Sequence, residues 1–549
     1  MLKTYIITLL LLVGCASKSP YPFDLEDVKS AQRLYGIDFS DSKIDTMIDY
    51  LAQNKVAYDT THSFNIQFNE WPAVVFDPLP DGFVLSEDNE SILITDTTDI
   101  STVLERKQIP FLSVLELGYF IRTRQISSFE LTKLFLDRLS HYDHQLKAVI
   151  TLTKDDALYK AKQLDRELIS GKYRGPLHGI PYGLKDIIAV KGHKTTWGSE
   201  PFKNQVINET AELVEKLDEA GAILVAKLTS GALARGDVWY GGKTRNPWDL
   251  EQGSSGSSAG SASATAAGLI PFAIGSETWG SILSPSSRCG VTGLRPTYGR
   301  VSRHGVMALS WSMDKVGPIC RNAQDCAIIM SIINGSDGRD RSVYNMPFGV
   351  DLTADITTIK VGVIQSIVEK DTSDSGSNGK AALDKLNEMG IKINSITLPK
   401  AYPFRLFDTI LRAESGAYFD QLIRSGQVDL MVQQTKNSRA NSLRQSRFIP
   451  AVEYLQANRL RKRLINEMAE LFQTIDVIIA PGKGSEQSLI TNLTGHPAIS
   501  IPSGFDLKGR PTSITMIGDL FEEALIIKLA HAFQQHTNHH SQIPPLFSN

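Results

Sequence analysis

The sixteen residues from Gly253 to Gly268 are all Gly, Ser, Ala or Thr. By composition such a stretch is a flexible linker. Its downstream flank argues otherwise, because Leu269-Ile270-Pro271-Phe272-Ala273-Ile274 follows without a break and reads as buried. Small residues every few positions suit a helix packed very closely against a neighbour. The stretch therefore reads as a Gly/Ser loop entering a tight core helix, and the rest of the chain must supply that core. With 549 residues, 42% of them apolar and 21% charged, it can. A second small-residue turn comes next, Gly275-Ser276-Glu277-Thr278-Trp279-Gly280-Ser281-Ile282. Backbone N–H groups in such a turn can point at one spot and bind a developing oxyanion. A plain turn between packed elements is the other reading, and the residues leave both open.

Around this segment helical and strand-like patterns alternate. Residues 23–60 read as two helices with N-caps at Asp24 and Ser40, and a capping box at Ser127-Ser128-Phe129-Glu130 opens another. A further helix starts at Thr153 and stops at Gly171. Strand-like runs at 180–190, 221–227, 359–364, 391–396 and 476–480 alternate with helical runs at 209–220, 380–389 and 450–473. This predicts an α/β fold with a mostly parallel or mixed sheet. The polar, partly irregular segment 335–450 reads as a cap or insertion, and 23–112 as a helical N-terminal region.

Lys185 is out of place. It lies in Gly179-Ile180-Pro181-Tyr182-Gly183-Leu184-Lys185-Asp186-Ile187-Ile188, an apolar strand-like run. Burying a cation is costly, so an interior Lys either finds a partner or gives up its proton. Full burial can bring a Lys pKa down to about 5–6, and a neutral Lys is a competent base. An ion pair with Asp186, or a solvated edge, is the plainer alternative.

Together these pieces resemble the amidase signature family of serine hydrolases over residues 113–535. The likeness rests on Gly179-Ile180-Pro181 to Lys185-Asp186, on Thr244-Arg245-Asn246-Pro247-Trp248 and on the Gly/Ser loop. It continues through Gly275 to Ile282, Gly290-Val291-Thr292-Gly293-Leu294-Arg295-Pro296-Thr297 and Gly495-His496-Pro497-Ala498. The resemblance implies a large mixed β-sheet covered by helices on both faces, in a catalytic domain over 113–540. It also implies hydrolysis of a carboxamide C–N bond in a small molecule or peptide, without cofactor. The family's base lysine falls on Lys185, its serine in a cis peptide on Ser257 and its nucleophile on Ser281. The oxyanion hole falls on the N–H groups of Thr278, Trp279, Gly280 and Ser281. Many members carry Asp-x-Gly-Gly-Ser-Ile-Arg around the nucleophile. Here Trp279 replaces a Gly and Leu283 an Arg, so the turn must tolerate a side chain and an ion pair is missing or rebuilt. The loop reads Gly-Ser-Ser-Ala-Gly where the family has Gly-Ser-Ser-Gly-Gly.

Other readings compete. Gly256-Ser257-Ser258-Ala259-Gly260 fits the G-x-S-x-G elbow of an α/β-hydrolase-type esterase with Ser258 as nucleophile. That elbow needs a hydrophobic strand before it, and Asn246 to Gln252 is turn-like. Gly242-Lys243-Thr244 ends like a P-loop, but Asp237 holds the upstream glycine position and Asn246-Pro247 blocks the helix. The tRNA-dependent amidotransferases contain a component similar to the same family, which works in the cytoplasm with partner subunits.

The N-terminus points to another compartment. Lys3 precedes an apolar run to Val13 that is too short to span a membrane and suits a signal-peptide core over residues 1–14. Leu12-Val13-Gly14-Cys15 resembles a bacterial lipobox, which implies a lipid on Cys15, a tether over 15–22 and a membrane-anchored protein of the cell envelope. Cys289, Cys320 and Cys326 are too few for a disulfide framework, though one bridge would leave an odd thiol. No Cys/His cluster has zinc spacing, and His531, His536, His539 and His540 read as a solvated end. A net charge of −3, with no aromatic residues interleaved in basic clusters, gives no sign of nucleic-acid binding.

Overall fold

The computed structural model describes residues 22–64, 66–85, 104–364, 371–399, 402, 404–481 and 486–548. The signal core, Gly14-Cys15 and most of the tether lie outside the described residues. The chain divides into two compact units, Met1–Glu70 and Trp71–Asn549. In the first, the helix Leu25–Tyr35 is opened by a capping box between Asp24 and Asp27 and ends at Gly36 in the left-handed region. The helix Asp41–Ser63 follows Ser40.

The second unit is built on a sheet. Fifteen strands are described: β1 (Val149–Leu152), β2 (Pro181–Lys185), β3 (Ile223–Leu228), β4 (Val238–Trp239), β5 (Gly242–Lys243), β6 (Arg245–Asn246), β7 (Asp249–Gly253), β8 (Phe272–Glu277), β9 (Thr292–Arg295), β10 (Lys315–Cys320), β11 (Val361–Val363), β12 (Ile393–Ser395), β13 (Val477–Pro481), β14 (Ala498–Phe505) and β15 (Pro511–Gly518). Eleven form one mixed sheet in the order β1-β3-β2-β8-β10-β9-β14-β15-β13-β11-β12, with helices covering both faces. β2 runs parallel to both β3 and β8 and is buried throughout, as a strand between parallel neighbours should be. β11 and β12, both from the 335–450 segment, form one edge of the sheet in parallel with β13.

The helices follow their local signals. Ser127 and Glu130 close the expected capping box on Ser128–Leu146. Lys154–Ile169 begins after Thr153, but the Thr153 hydroxyl donates across to Leu224 O at 2.6 Å instead of capping. The run of small residues is the helix Ala259–Ala266, every residue of which is buried. A Cβ on Gly260 would lie 2.3 Å from Ala148 O, so the backbones do approach as closely as the composition implies.

Two expectations need correcting. His531 is not solvated: it lies on the inward face of the helix Glu523–Gln535, and burial with His531 and His539 nearby pushes His540 down to about 4. Cys289, Cys320 and Cys326 are all buried free thiols, so the possible bridge does not form.

Candidate active site

Strand register brings the site together. β2 and β8 are parallel neighbours with Leu184 opposite Ile274, so Lys185 at the end of β2 reaches the end of β8. Open α/β sheets present ligands at the carboxyl ends of their strands. Lys185 Nζ donates to Ser257 Oγ at 2.8 Å, to Ser276 Oγ at 2.9 Å and to Ser276 O at 3.2 Å. The side chain is fully buried, and burial pushes its pKa down to about 7 against the weaker upward pull of Asp314 and Glu277.

Asp186 does not pair with Lys185. Asp186 lies in the turn just past β2, where it pairs with Lys227 at 2.9 Å and accepts Thr196 N at 2.8 Å.

The loop before the small-residue helix is held from both sides. The Gly256–Ser257 peptide bond is cis, as the resemblance implies. A Cβ on Gly256 would lie 1.9 Å from Gly236 O, so only glycine fits there. Ser258 Oγ donates to Ser276 O and accepts from Ser276 N, both at 3.1 Å, which ties the loop to β8. Ser258 N also donates to Ser281 O at 3.1 Å, which ties the turn carrying Ser281 to this loop.

That turn leaves β8 at Glu277. Among the described residues, the N–H groups of Trp279, Gly280 and Ser281 have no protein acceptor. Gly280 has φ +78°, which glycine adopts without strain. Below the turn, Glu277 accepts Ile282 N at 2.8 Å and Leu283 N at 3.0 Å, pairs with Arg295 at 2.8 Å and accepts Asn492 Nδ2 at 2.9 Å. Burial pushes the Glu277 carboxyl up, but Arg295 and these donors together hold it at about 2. Leu283 carries no charge, and the ion pair beneath the turn is that of Glu277 with Arg295. Thr278 donates its hydroxyl to Asp314, which also accepts Leu309 N at 2.7 Å and Ser310 N at 2.9 Å. The Trp279 side chain is 44% exposed, so the turn accommodates it by turning it outward. It borders a cavity of about 150 Å³ that also touches Gly280, Leu283, Gln487 and Thr491.

A buried serine–lysine pair beside a turn of unpaired N–H groups can perform nucleophilic acyl transfer. The amidase family model matches residues 130–487. The chain belongs to the amidase signature family. Its relatives in that family include a glutamyl-tRNA(Gln) amidotransferase component of Coxiella burnetii, 33% identical over 481 residues that cover 79% of this chain and 99% of that protein. The corresponding Geobacillus kaustophilus protein is also 33% identical, with the same coverage. Among solved structures, the native peptide amidase of Stenotrophomonas maltophilia superposes with a TM-score of 0.70 at 28% identity, covering 78% of this chain and 98% of that one. In this amidase-family protein the structure brings Lys185 and Ser257 into direct contact, while Ser281 is tied through its carbonyl to Ser258 N, and among the described residues its hydroxyl bonds to neither member of the pair. Sequence reasoning missed Ser276 as a lysine partner, and also Arg295 and Asp314 beneath the turn.

Proposed function

We propose that the chain hydrolyses a carboxamide C–N bond, with Ser281 as nucleophile, Ser257 as proton relay and Lys185 as base. The observation that carries this is Lys185: fully buried, bonded to the Ser257 hydroxyl and, among the described residues, paired with no carboxylate. Neutral Lys185 takes the Ser257 proton as Ser257 takes that of Ser281, and Ser281 Oγ attacks the carbonyl carbon. The oxyanion is received by the N–H groups of residues 278–281. Ser257 then passes a proton to the departing amine as the C–N bond breaks, and water cleaves the resulting ester. A fluorophosphonate probe is expected on Ser281, with labelling and turnover both lost in Ser281→Ala. A probe adduct on Ser258, with Ser281→Ala still active, sinks the assignment in favour of the esterase alternative. Against that alternative, the Ser258 hydroxyl is buried and engaged on both sides by Ser276.

The similarity to amidotransferase components supports a second reading, in which the released ammonia serves a partner. Ammonia release from a simple carboxamide by the isolated chain distinguishes free hydrolysis from that role. From the signal core and Gly14-Cys15 we further propose lipid attachment at Cys15, which places the enzyme at the cell envelope. Cys15→Ala should lose lipid labelling; a variant still labelled and membrane-bound contradicts this.

A further inference from the structure

Residues 71–83 form a strap on the second unit, ahead of residues 130–487 that the family model matches. The strap is fastened by polar contacts. Asp77 accepts Tyr344 OH at 2.9 Å, and Asp81 pairs with Lys462 at 3.0 Å and accepts Asn466 Nδ2 at 3.1 Å. Its aromatic residues meet two buried arginines. The ring of Phe76 lies 3.5 Å from the Arg461 guanidinium, and that of Trp71 lies 4.7 Å from the Arg303 guanidinium. A guanidinium carries its N–H donors in its plane and none on its faces, so an aromatic ring is a fitting cover for a face.

Both arginines hold one short segment of backbone. Arg303 Nη1 donates to Trp311 O at 2.6 Å and to Asp314 O at 3.3 Å. Arg461 donates to Ser312 O at 2.7 Å and to Ser312 Oγ at 2.8 Å. The segment ends at Asp314, whose carboxylate accepts the Thr278 hydroxyl at the start of the nucleophile turn. Two rings outside the matched region are therefore linked, through one arginine each, to the support of that turn. Glu414 also holds the segment, accepting Ser312 N at 3.0 Å and Ser312 Oγ at 2.7 Å, so loss of a ring should loosen it without releasing it.

We propose that Trp71 and Phe76 are positioning residues of the amidase. By covering Arg303 and Arg461 they fix residues 311–314, and with them Thr278 and the N–H groups that receive the oxyanion. The inference rests on the amidase reading of Ser281.

The rate at which a fluorophosphonate probe captures Ser281 tests this, because that capture uses the same N–H groups and requires no knowledge of the amide. Removing one oxyanion donor costs about 10²–10³-fold, so displacing the turn should cost less, about tenfold. Phe76→Ala and Trp71→Ala are each expected to lower kinact by about that factor, with KI unchanged. Trp71→Phe, which keeps a ring over Arg303, should restore most of the rate. Phe83→Ala removes a ring from the same strap that packs on Phe521 instead, and should leave kinact at the wild-type value. In a Thr278→Val background, where the last link is already cut, Phe76→Ala should add little further loss. Because kinact is a rate, it is read on the folded molecules whatever their fraction. Wild-type kinact in both Phe76→Ala and Trp71→Ala, an equal loss in Phe83→Ala, or a full further loss in the Thr278→Val background overturns the positioning role. Failure of the probe to label Ser281 in the wild-type protein would instead overturn the amidase reading, and it shows before any variant is compared.

Discussion

Lys185 and Lys227 lie on adjacent parallel strands, both completely buried, and their surroundings differ by one carboxylate. Lys227 has Asp186 at 2.9 Å, with Thr195 Oγ1 at 2.9 Å and Lys194 O at 3.1 Å. Lys185 has two hydroxyls and a carbonyl. Burial pushes both pKa values down, but at Lys227 the charge of Asp186 and its hydrogen bond oppose the shift directly. At Lys185 the opposing carboxylates, Asp314 and Glu277, are already engaged with Thr278 and Arg295, and its pKa falls to about 7. The same side chain in the same sheet is thus a structural cation in one place and a candidate base in the other.

The sharpest way to break the comparison is to remove each amine. Lys185→Met is expected to lower kcat by about 10²–10⁴-fold, the usual loss for an acid–base group, while the protein stays folded. Lys227→Met should do the opposite. It leaves Asp186 buried without its cation, which destabilises by about 3–5 kcal/mol, while each folded molecule still turns over. Single-turnover rates and urea midpoints on both variants decide this, and a Lys227→Met protein that is stable but inactive would collapse the distinction.

The comparison also shows what the sequence made legible. The alternation of helices and strands, the capping box at Ser127 and the tight helix after the Gly/Ser loop all carry local signals, and each appears in the structure. The partner of Lys185 did not, because its nearest carboxylate in sequence is Asp186. Asp186 falls just past the end of β2, in a turn, so neither its direction nor its destination on β3 could be read from the strand period. Arg295 was visible within Gly-Leu-Arg-Pro-Thr, yet its pairing with Glu277 depends on the sheet order. β8 and β9 flank β10, and nothing local in the sequence specifies that. The cavity at Trp279 is likewise assembled from segments more than 200 residues apart.

Supplying the missing carboxylate sharpens the contrast further. Ser276 Oγ lies 2.9 Å from Lys185 Nζ, so Ser276→Asp places a carboxylate where Lys227 has Asp186. The anion favours the protonated amine. The rate at pH 7 should fall by about 10–100-fold, and the midpoint of the pH–rate curve should move upward from about 7. A midpoint that stays in place would mean that the group titrating in the rate is not Lys185.

The smallest effect is a change in stability alone. The ordinary Lys pKa is 10.5, and in the folded protein burial lowers that of Lys185 to about 7. Between these values the unfolded chain holds a proton that the folded protein does not, so raising the pH favours folding across this window. The gain is about 1.4 kcal/mol for each pH unit of separation. Below pH 7 both states are protonated and the cost of burying the cation is present in full; above pH 10.5 it is gone. Lys185→Met lacks this cost at every pH. The variant should therefore be more stable than the wild type by its widest margin at pH 7 and below. That margin should shrink as the pH rises through 8 and 9. Buried groups distant from Lys185 titrate in both proteins and cancel in the difference. Urea midpoints of the two proteins at matched pH values give the curve. A margin that stays constant from pH 7 to 9 would mean that Lys185 keeps its proton in the folded state, as an ion-paired lysine does.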